Sequence, residues 1–220
     1  YILNLARGLM ARGQKVCVGS GGGEWLGRLR TYNIEHVYLP LNTKSIISPK
    51  LFLAYRILKR ILLEKDIDIV HTQTRVSGFL ACRAEKKTTV PFVSTAHGFF
   101  RRRLGSYLFS SWGRLVIAIS EPVRQHLYKD FGLSQDRVRL VRNGIDVTVN
   151  QPLTSASKEE AKSSFGLGCG PVVGIIARLS EVKGHRYLIS AMKKVIEYIP
   201  DAQLLIIGDG KIKSDLEGQA

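Results

Sequence analysis

Residues 171–210 constrain the fold of this chain most strongly, because they combine two apolar runs with one amphipathic segment. The runs at 172–177 and 204–207 lack polar alternation, a pattern typical of strands in a parallel sheet that is covered on both faces. Residues 182–198 between them have the spacing of an amphipathic helix. Since parallel strands need a crossover connection, the stretch predicts one right-handed β-α-β unit.

Two cations occupy the turn of this unit. Arg178 directly follows the first predicted strand, and Lys183 lies at the predicted start of the helix. Ligands of open parallel sheets bind beyond the carboxyl ends of the strands, where helix N-termini present unpaired N–H groups and a positive dipole end. The two positions therefore suit a diphosphate, although isolated cations of this kind are more often solvated loop charges.

Further residues of the unit resemble a known family. Ala177-Arg178-Leu179, Lys183-Gly184 and Gly208-Asp209-Gly210 are similar to the donor-site half of retaining nucleotide-sugar glycosyltransferases of the two-Rossmann-domain (GT-B) type, often called group 1. The resemblance implies that Arg178 and Lys183 hold the donor diphosphate, with no metal ion and no other cofactor. It also implies donor-site loops that contain Gly184, Gly208, Asp209 and Gly210, while the same glycines suit a tight strand-to-helix turn.

Apolar runs alternate with amphipathic segments along the rest of the chain, which predicts an α/β fold class with two Rossmann-like domains. Strands are predicted near residues 15–19, 36–39, 67–71, 91–95, 115–119 and 138–141. A polar stretch at 143–157, rich in Ser and Thr, is predicted to link an acceptor-side domain at 1–142 to a nucleotide-sugar-binding domain at 158–220.

The resemblance extends across the first domain. Its landmarks, in the expected order, are DIVH at 68–71, TAHG at 95–98, AIS at 118–120 and VRNGID at 141–146. The family's glycine-rich acceptor-side loop would precede residue 1, and its pair of donor-binding glutamates would follow residue 220. We therefore expect a fragment with a truncated second domain, an exposed sheet edge and reduced activity on its own.

His97 is the main catalytic candidate. It follows a predicted strand at its carboxyl end, and the resemblance implies contact with the donor sugar near the reacting carbon. The alternative is a histidine that bonds only its own loop. His71, in the equivalent place on the neighbouring strand, is interpreted as structural, and His36, His126 and His185 are interpreted as solvated surface residues.

Three adjacent arginines, Arg101, Arg102 and Arg103, follow within a loop. Guanidinium groups pair bidentately with phosphate, so these arginines are candidates for binding an anionic acceptor such as a phosphorylated sugar or a lipid head group. An exposed charged loop is the alternative. Aromatic residues at 99–100 and 107–109 would supply the apolar groups that contact with an anionic membrane requires.

The positive charge lies mainly in the first domain. Residues 1–150 contain 24 Lys and Arg against 10 Asp and Glu, net +14, whereas residues 151–220 contain 9 against 8, net +1. Such a surface suits nucleic acid, an anionic membrane or an acidic acceptor, or is an ordinary solvated helix surface. The charged start does not resemble a signal peptide, and no apolar run reaches the length of a membrane span. A cytoplasmic location, peripheral to the inner face of the membrane, is expected.

These observations predict a glycosyltransferase that moves a sugar from a nucleotide diphosphate sugar to a hydroxyl acceptor with retention. The expected setting is cell-envelope polysaccharide or lipopolysaccharide synthesis, with a lipid-linked or phosphorylated acceptor. Two other classes stay open: a Rossmann-type nucleotide-binding protein, although no intact G-x-G-x-x-G is present, and a basic module for nucleic acid or membrane surfaces. Because no nucleic-acid-binding motif is evident, no nucleic acid partner is expected.

Overall fold

The structure is a computed structural model that describes residues 1–43, 48–100, 112–147 and 154–219. It divides the chain into two compact units, residues 1–146 and 147–220, which we call unit 1 and unit 2. Both units are α/β, and every pairing among the described strands is parallel. The predicted α/β class is therefore confirmed.

Unit 1 contains two parallel sheets in its described part. The first pairs β1 with β2, and the second has the order β3-β4-β5-β6. The strands are β1 Cys17–Ser20, β2 Glu35–Tyr38, β3 Val70–Thr72, β4 Phe92–Ala96, β5 Leu115–Ala118 and β6 Val138–Leu140. The helices are α1 Ile2–Met10, α2 Leu26–Thr31, α3 Pro49–Glu64, α4 Arg75–Thr88 and α5 Glu121–Phe131, and a 3-10 turn spans Gln135–Arg137.

Helix caps lie directly beyond the carboxyl ends of the strands in the second sheet. Thr74 follows β3 by two residues and forms a reciprocal capping box with Ser77 at the start of α4. Ser120 follows β5 by two residues, and its hydroxyl accepts a hydrogen bond from the N–H of Val123 in α5. The strands therefore end, and the helices begin, at one edge of the sheet. Beneath this edge lies an apolar core that joins β4, β5, β6 and α5 through Ala96, Val116, Ala118, Val123, Leu127, Leu133 and Val138.

Unit 2 is built on the β-α-β arrangement that the sequence predicts. Its elements are α6 Ser155–Ser164, β7 Val172–Ile176, a 3-10 turn at Glu181–Lys183, α7 His185–Tyr198, β8 Gln203–Ile207 and α8 Lys213–Glu217. β7 and β8 pair in parallel from Val172 opposite Gln203 to Ile176 opposite Ile207. Helix α7 buries His185, Ile189 and Met192, and Ile189 belongs to a core cluster with Leu179 and Leu216.

One expectation for unit 2 is corrected. The helix begins at His185 rather than near residue 182, because Gly184 has φ +75°, a left-handed conformation that an α-helix does not contain. Within the described residues, Val173 of β7 is 39% exposed and Ile176 is 81% exposed. In the described part of the chain, no helix combines the length and the apolar character needed to cross a bilayer.

Candidate functional site

The carboxyl ends of β3 and β4 bring five side chains of unit 1 together. His97 directly follows β4 and Gln73 directly follows β3, and the Nε2–H of His97 donates to Oε1 of Gln73 at 2.7 Å. His71 and Thr95 lie within these strands, with Nε2 of His71 2.8 Å from Oγ1 of Thr95. The Tyr1 ring packs edge-on against His97 with centroids 4.8 Å apart. We call Tyr1, His71, Gln73, Thr95 and His97 the histidine cluster.

The hydrogen bonds of the cluster define how His97 is held. An amide oxygen only accepts hydrogen bonds, so Nε2 of His97 carries a proton in this arrangement. Partial burial lowers the pKa of His97, and burial together with the nearby His97 ring lowers the pKa of His71. Both rings are therefore biased toward the neutral form near pH 7. In neutral His97 the proton on Nε2 leaves Nδ1 as a hydrogen-bond acceptor.

Among the described residues, a small cavity lies beside the cluster. A cavity of about 20 Å³ lies against Thr72, Gln73 and Thr95, which is room for a single water molecule. His97 itself lies on the exposed side of the cluster. A substrate in contact with unit 1 would therefore meet His97 at the surface rather than inside the unit.

The two predicted cations of unit 2 are exposed and uncompensated. Arg178 follows β7, and Lys183 ends the 3-10 turn that leads into α7. Neither side chain forms a hydrogen bond or an ion pair within the described residues. The neighbouring Arg186 differs, because its guanidinium lies 3.4 Å from Glu181 and 3.1 Å from Asp215. In the described part of the chain, Arg186 is thus paired with carboxylates, whereas Arg178 and Lys183 have no counterion.

The turns after β7 and β8 fit against each other through backbone atoms. The N–H of Leu179 donates to the carbonyl of Asp209 at 2.9 Å, and the side chain of Asp209 accepts from the N–H of Gly210 at 2.8 Å. A Cβ atom on Gly208 would overlap the carbonyl oxygen of Ala177, and one on Gly210 would overlap that of Leu179. These glycines therefore allow close packing of the two turns, and Arg178 stands on the turn that they support. The described ranges contain no group of three or more His, Cys, Asp or Glu placed to hold a metal ion.

Residues 1–149 match the model of a protein family described as Glycosyltransferase Family 4, which covers more than half of the chain. The chain belongs to this family. Among its relatives, the alpha-maltose-1-phosphate synthase of Mycolicibacterium smegmatis is 31% identical over 155 residues, which cover 63% of the chain and 39% of that protein. The UDP-Gal:alpha-D-GlcNAc-diphosphoundecaprenol alpha-1,3-galactosyltransferase of Escherichia coli is 27% identical over 83% of the chain and 49% of its own length. The chain thus spans about half the length of these relatives or less.

Solved structures establish the fold of this Glycosyltransferase Family 4 chain. A glycosyltransferase from Rickettsia africae ESF-5 superposes with a TM-score of 0.81 at 24% identity, covering 99% of the chain and 58% of that protein. Anabaena HepE, crystallised in complex with UDP and glucose, superposes with a TM-score of 0.78 at 19% identity, covering 99% of the chain and 60% of that protein. The predicted GT-B fold class and the predicted family are confirmed.

Within this glycosyltransferase chain, the structure gathers His97, His71 and Thr95 in unit 1. In unit 2 it places Arg178, Lys183 and Gly184 on one turn and Gly208, Asp209 and Gly210 on the adjoining turn. Arg101, Arg102 and Arg103 lie outside the described residues. Gln73 was not singled out from the sequence, although it lies two residues after the strand predicted at 67–71, in the region where ligands of parallel sheets bind.

The interpretation of His185 and His126 as solvated surface residues is wrong, whereas His36 is half-buried on β2. His185 is 1% exposed, and neither ring nitrogen has a hydrogen-bond partner among the described residues. The side chain of His126 is 11% exposed, and His36 bonds Ser20 at 2.8 Å. The signal that was missed for His185 is its helical spacing, because positions i, i+4 and i+7 of α7 are His185, Ile189 and Met192, all of them buried.

Proposed function

We propose that this chain belongs to an enzyme that transfers a sugar from a nucleotide diphosphate sugar to a hydroxyl acceptor, with retention of the anomeric configuration. The observation that carries the proposal is the pair of uncompensated cations, Arg178 and Lys183, on the turn between β7 and α7 of a Glycosyltransferase Family 4 chain. The complex of Anabaena HepE with UDP and glucose supports a nucleotide-sugar donor.

Arg178 and Lys183 would bind the donor diphosphate. Negative charge grows on the diphosphate as its bond to the sugar breaks, so cations that are fixed beforehand stabilise the transition state more than the ground state. The first turn of α7, which starts directly after Gly184, adds unpaired N–H groups and the positive dipole end. Arg178 and Lys183 would therefore supply positive charge to the diphosphate leaving group. We infer that the reaction needs no metal cofactor.

His97 would contact the transferred sugar. A neutral ring that donates Nε2–H to Gln73 keeps the lone pair of Nδ1 for a hydroxyl group of the sugar. Neutrality matters because the reacting carbon gains positive character as the diphosphate leaves, and an imidazolium beside it would oppose that change. The lowered pKa of His97 fits this role.

A lipid-linked acceptor at an anionic membrane is the finer part of the proposal. The Escherichia coli relative is named for a diphosphoundecaprenol acceptor, which supports envelope synthesis as the setting. Helix α3 carries Phe52, Arg56, Lys59 and Leu63 at positions i, i+4, i+7 and i+11, which form one stripe. Phe52 is 65% exposed and Leu63 is 60% exposed, so the stripe offers apolar groups beside cations, as contact with anionic lipid requires.

Sedimentation with vesicles tests the membrane part. The double variant Phe52→Ser with Leu63→Ser should lose binding to vesicles that contain phosphatidylglycerol. The matched control, Tyr187→Ser with Tyr198→Ser, removes two side chains of unit 2 that are 82% and 84% exposed and should bind like the parent. Equal binding of the parent to neutral vesicles, or parental binding by the α3 variant, would contradict this part.

Donor cleavage tests the main proposal. The chain is incubated with UDP-glucose, released UDP is measured, and the anomer of the released sugar is read by NMR. We expect the α-anomer first, with UDP release lowered about tenfold or more by His97→Ala or Arg178→Gln. Arg186→Gln is the matched control, since its cation is already paired with carboxylates. Initial release of the β-anomer would exclude retention, and parental release by both site variants would exclude the assigned roles.

A further inference from the structure

His126 makes two hydrogen bonds that connect α5 to the chain just after His97. Nε2 of His126 accepts from the backbone N–H of Phe100 at 3.0 Å. Nδ1 of the same ring lies 2.6 Å from Oδ2 of Asp130, one helical turn further along α5. The side chain is 11% exposed, so both bonds are largely shielded from water. Neither His126 nor Asp130 has a role in the proposed function.

The two partners determine which nitrogen of His126 carries the proton. A backbone N–H can only donate, so Nε2 must be unprotonated. A neutral imidazole then has its proton on Nδ1, which donates to the carboxylate of Asp130. In this single tautomer, the His126 ring donates to the Asp130 carboxylate on α5 and accepts from the N–H of Phe100. Rotation of the ring or the other tautomer would break both bonds.

Aromatic packing holds the Phe99–Phe100 segment against α5. The His126 ring lies edge-on to Phe99 at 5.2 Å and to Phe131 at 5.3 Å between centroids. Phe100 packs edge-on against Trp112 at 5.4 Å, and Trp112 packs against Phe131 at 5.5 Å. Phe100, Trp112 and Phe131 pack against the apolar core of unit 1, whereas Phe99 is 70% exposed. The polar and apolar contacts therefore fix the position of residues 99–100 relative to α5, which is anchored in the core by Val123 and Leu127.

We propose that His126 is a positioning residue for His97, and this inference rests on the proposed role of His97. Only Gly98 separates His97 from the Phe99–Phe100 segment that His126 anchors. If this segment moved, the backbone of His97 would therefore move with it. Gln73 orients the ring of His97 from the β3 side, while His126 fixes the backbone on the opposite, carboxyl-terminal side. A catalytic group that is held at both ends keeps its geometry between turnovers, and a misplacement of about 1 Å can lower turnover by about a hundredfold.

Nitrogen NMR of the parent chain tests the anchor without any substitution. We expect His126 as the neutral Nδ1–H tautomer, with a nitrogen shift at Nε2 typical of an unprotonated acceptor. Predominance of the Nε2–H tautomer would overturn the inference, because Phe100 would then have no acceptor on this ring.

Three variants test the anchor through amide exchange at Phe100. His126→Phe retains the aromatic packing but cannot accept the hydrogen bond, so the Phe100 amide should exchange about tenfold faster than in the parent. His126→Gln places an amide oxygen near the position of Nε2 and should restore most of the protection. Asp130→Asn, a milder change on the exposed side of the ring, should reduce the Nδ1–H tautomer and the protection together. Equal exchange in parent and His126→Phe would overturn the inference.

UDP release from UDP-glucose then separates this inference from the function on which it rests. His126→Phe should lower the rate, His126→Gln should recover it, and neither should weaken the stabilisation by UDP that Arg178 and Lys183 are proposed to provide. If His97→Ala turns over like the parent, the proposed role of His97 fails, even with a protected Phe100 amide. If His97→Ala is inactive while His126→Phe turns over like the parent, the positioning role of His126 fails.

Discussion

The histidine cluster of unit 1 and the cation-bearing turn of unit 2 differ in how their side chains are held. His97 and His71 each have a hydrogen-bond partner within unit 1, at 2.7 and 2.8 Å. Arg178 and Lys183 have none within the described residues, and both are exposed. Unit 1 therefore presents neutral groups in fixed orientations, whereas unit 2 presents charge on a fixed backbone. The difference suits a division of labour in which unit 2 binds an anion and unit 1 positions a neutral sugar.

The largest expected effect concerns the close backbone packing between the turns after β7 and β8, the first of which carries Arg178. Gly208→Ala should lower the free energy of unfolding by about 2 kcal/mol or more, because its Cβ would overlap the carbonyl of Ala177 in the adjoining turn. Gly174→Ala in β7 is the matched control, since a Cβ there meets no atom within 4 Å. Urea unfolding measures both variants. Equal effects at the two positions would show that the turns do not depend on close packing.

Replacing the Gln73 amide with a carboxylate tests whether His97 must be neutral, in contrast to the charged side chains of unit 2. Gln73→Glu should raise the pKa of His97, because an anion at the position of Oε1 favours the imidazolium. NMR titration of the His97 ring protons measures this change. UDP release should fall in parallel near pH 7, since a charged ring replaces a neutral one. An unchanged pKa would mean that Gln73 does not hold His97.

Acid should destabilise unit 1 through His71. Burial lowers the pKa of this ring below its ordinary value of 6.5, so the unfolded chain binds more protons in the window between the two values. Stability is therefore retained above about pH 6.5 and lost as the pH falls through the lower, folded pKa. His71→Gln, which can still bond Thr95, should lose less unfolding free energy between pH 7.5 and 5 than the parent. An identical pH dependence of the parent and of His71→Gln would contradict the assignment of His71 as a buried, neutral ring.

The smallest expected effect is at His185. Its ring is buried with both nitrogens unpartnered among the described residues, which is unfavourable for a polar group. His185→Leu should leave the unfolding free energy unchanged or raise it by up to about 1 kcal/mol. Leu216→Ala in the same unit should lower it by about 2 kcal/mol or more, as expected for a fully apolar core position. A comparable loss from His185→Leu would show that the ring has a partner.

The order of elements and the positions of the candidate site residues were predictable, because they depend on local patterns. The apolar runs predicted β7 and β8. Arg178 and His97 were predicted as site residues because ligands bind beyond the carboxyl ends of parallel strands. The helix start at His185 was not predicted, since it depends on the left-handed backbone at Gly184. His126 was misread because its partner Phe100 is 26 residues away, although the i, i+4 spacing to Asp130 was visible in the sequence. Hydrogen bonds between distant segments follow from tertiary packing, which no local pattern contains.

Thermal unfolding with nucleoside diphosphates tests the central claim, that Arg178 and Lys183 bind the donor diphosphate. UDP, GDP and ADP are each added to the parent chain, to the double variant Arg178→Gln with Lys183→Gln, and to the control Arg186→Gln. A ligand present at about 100 times its Kd stabilises the folded state by about 2.7 kcal/mol, so at least one nucleotide should raise the midpoint of the parent and of the control by several degrees. The double variant should show no shift. A midpoint that no nucleotide raises, or a double variant that responds like the parent, would contradict the account.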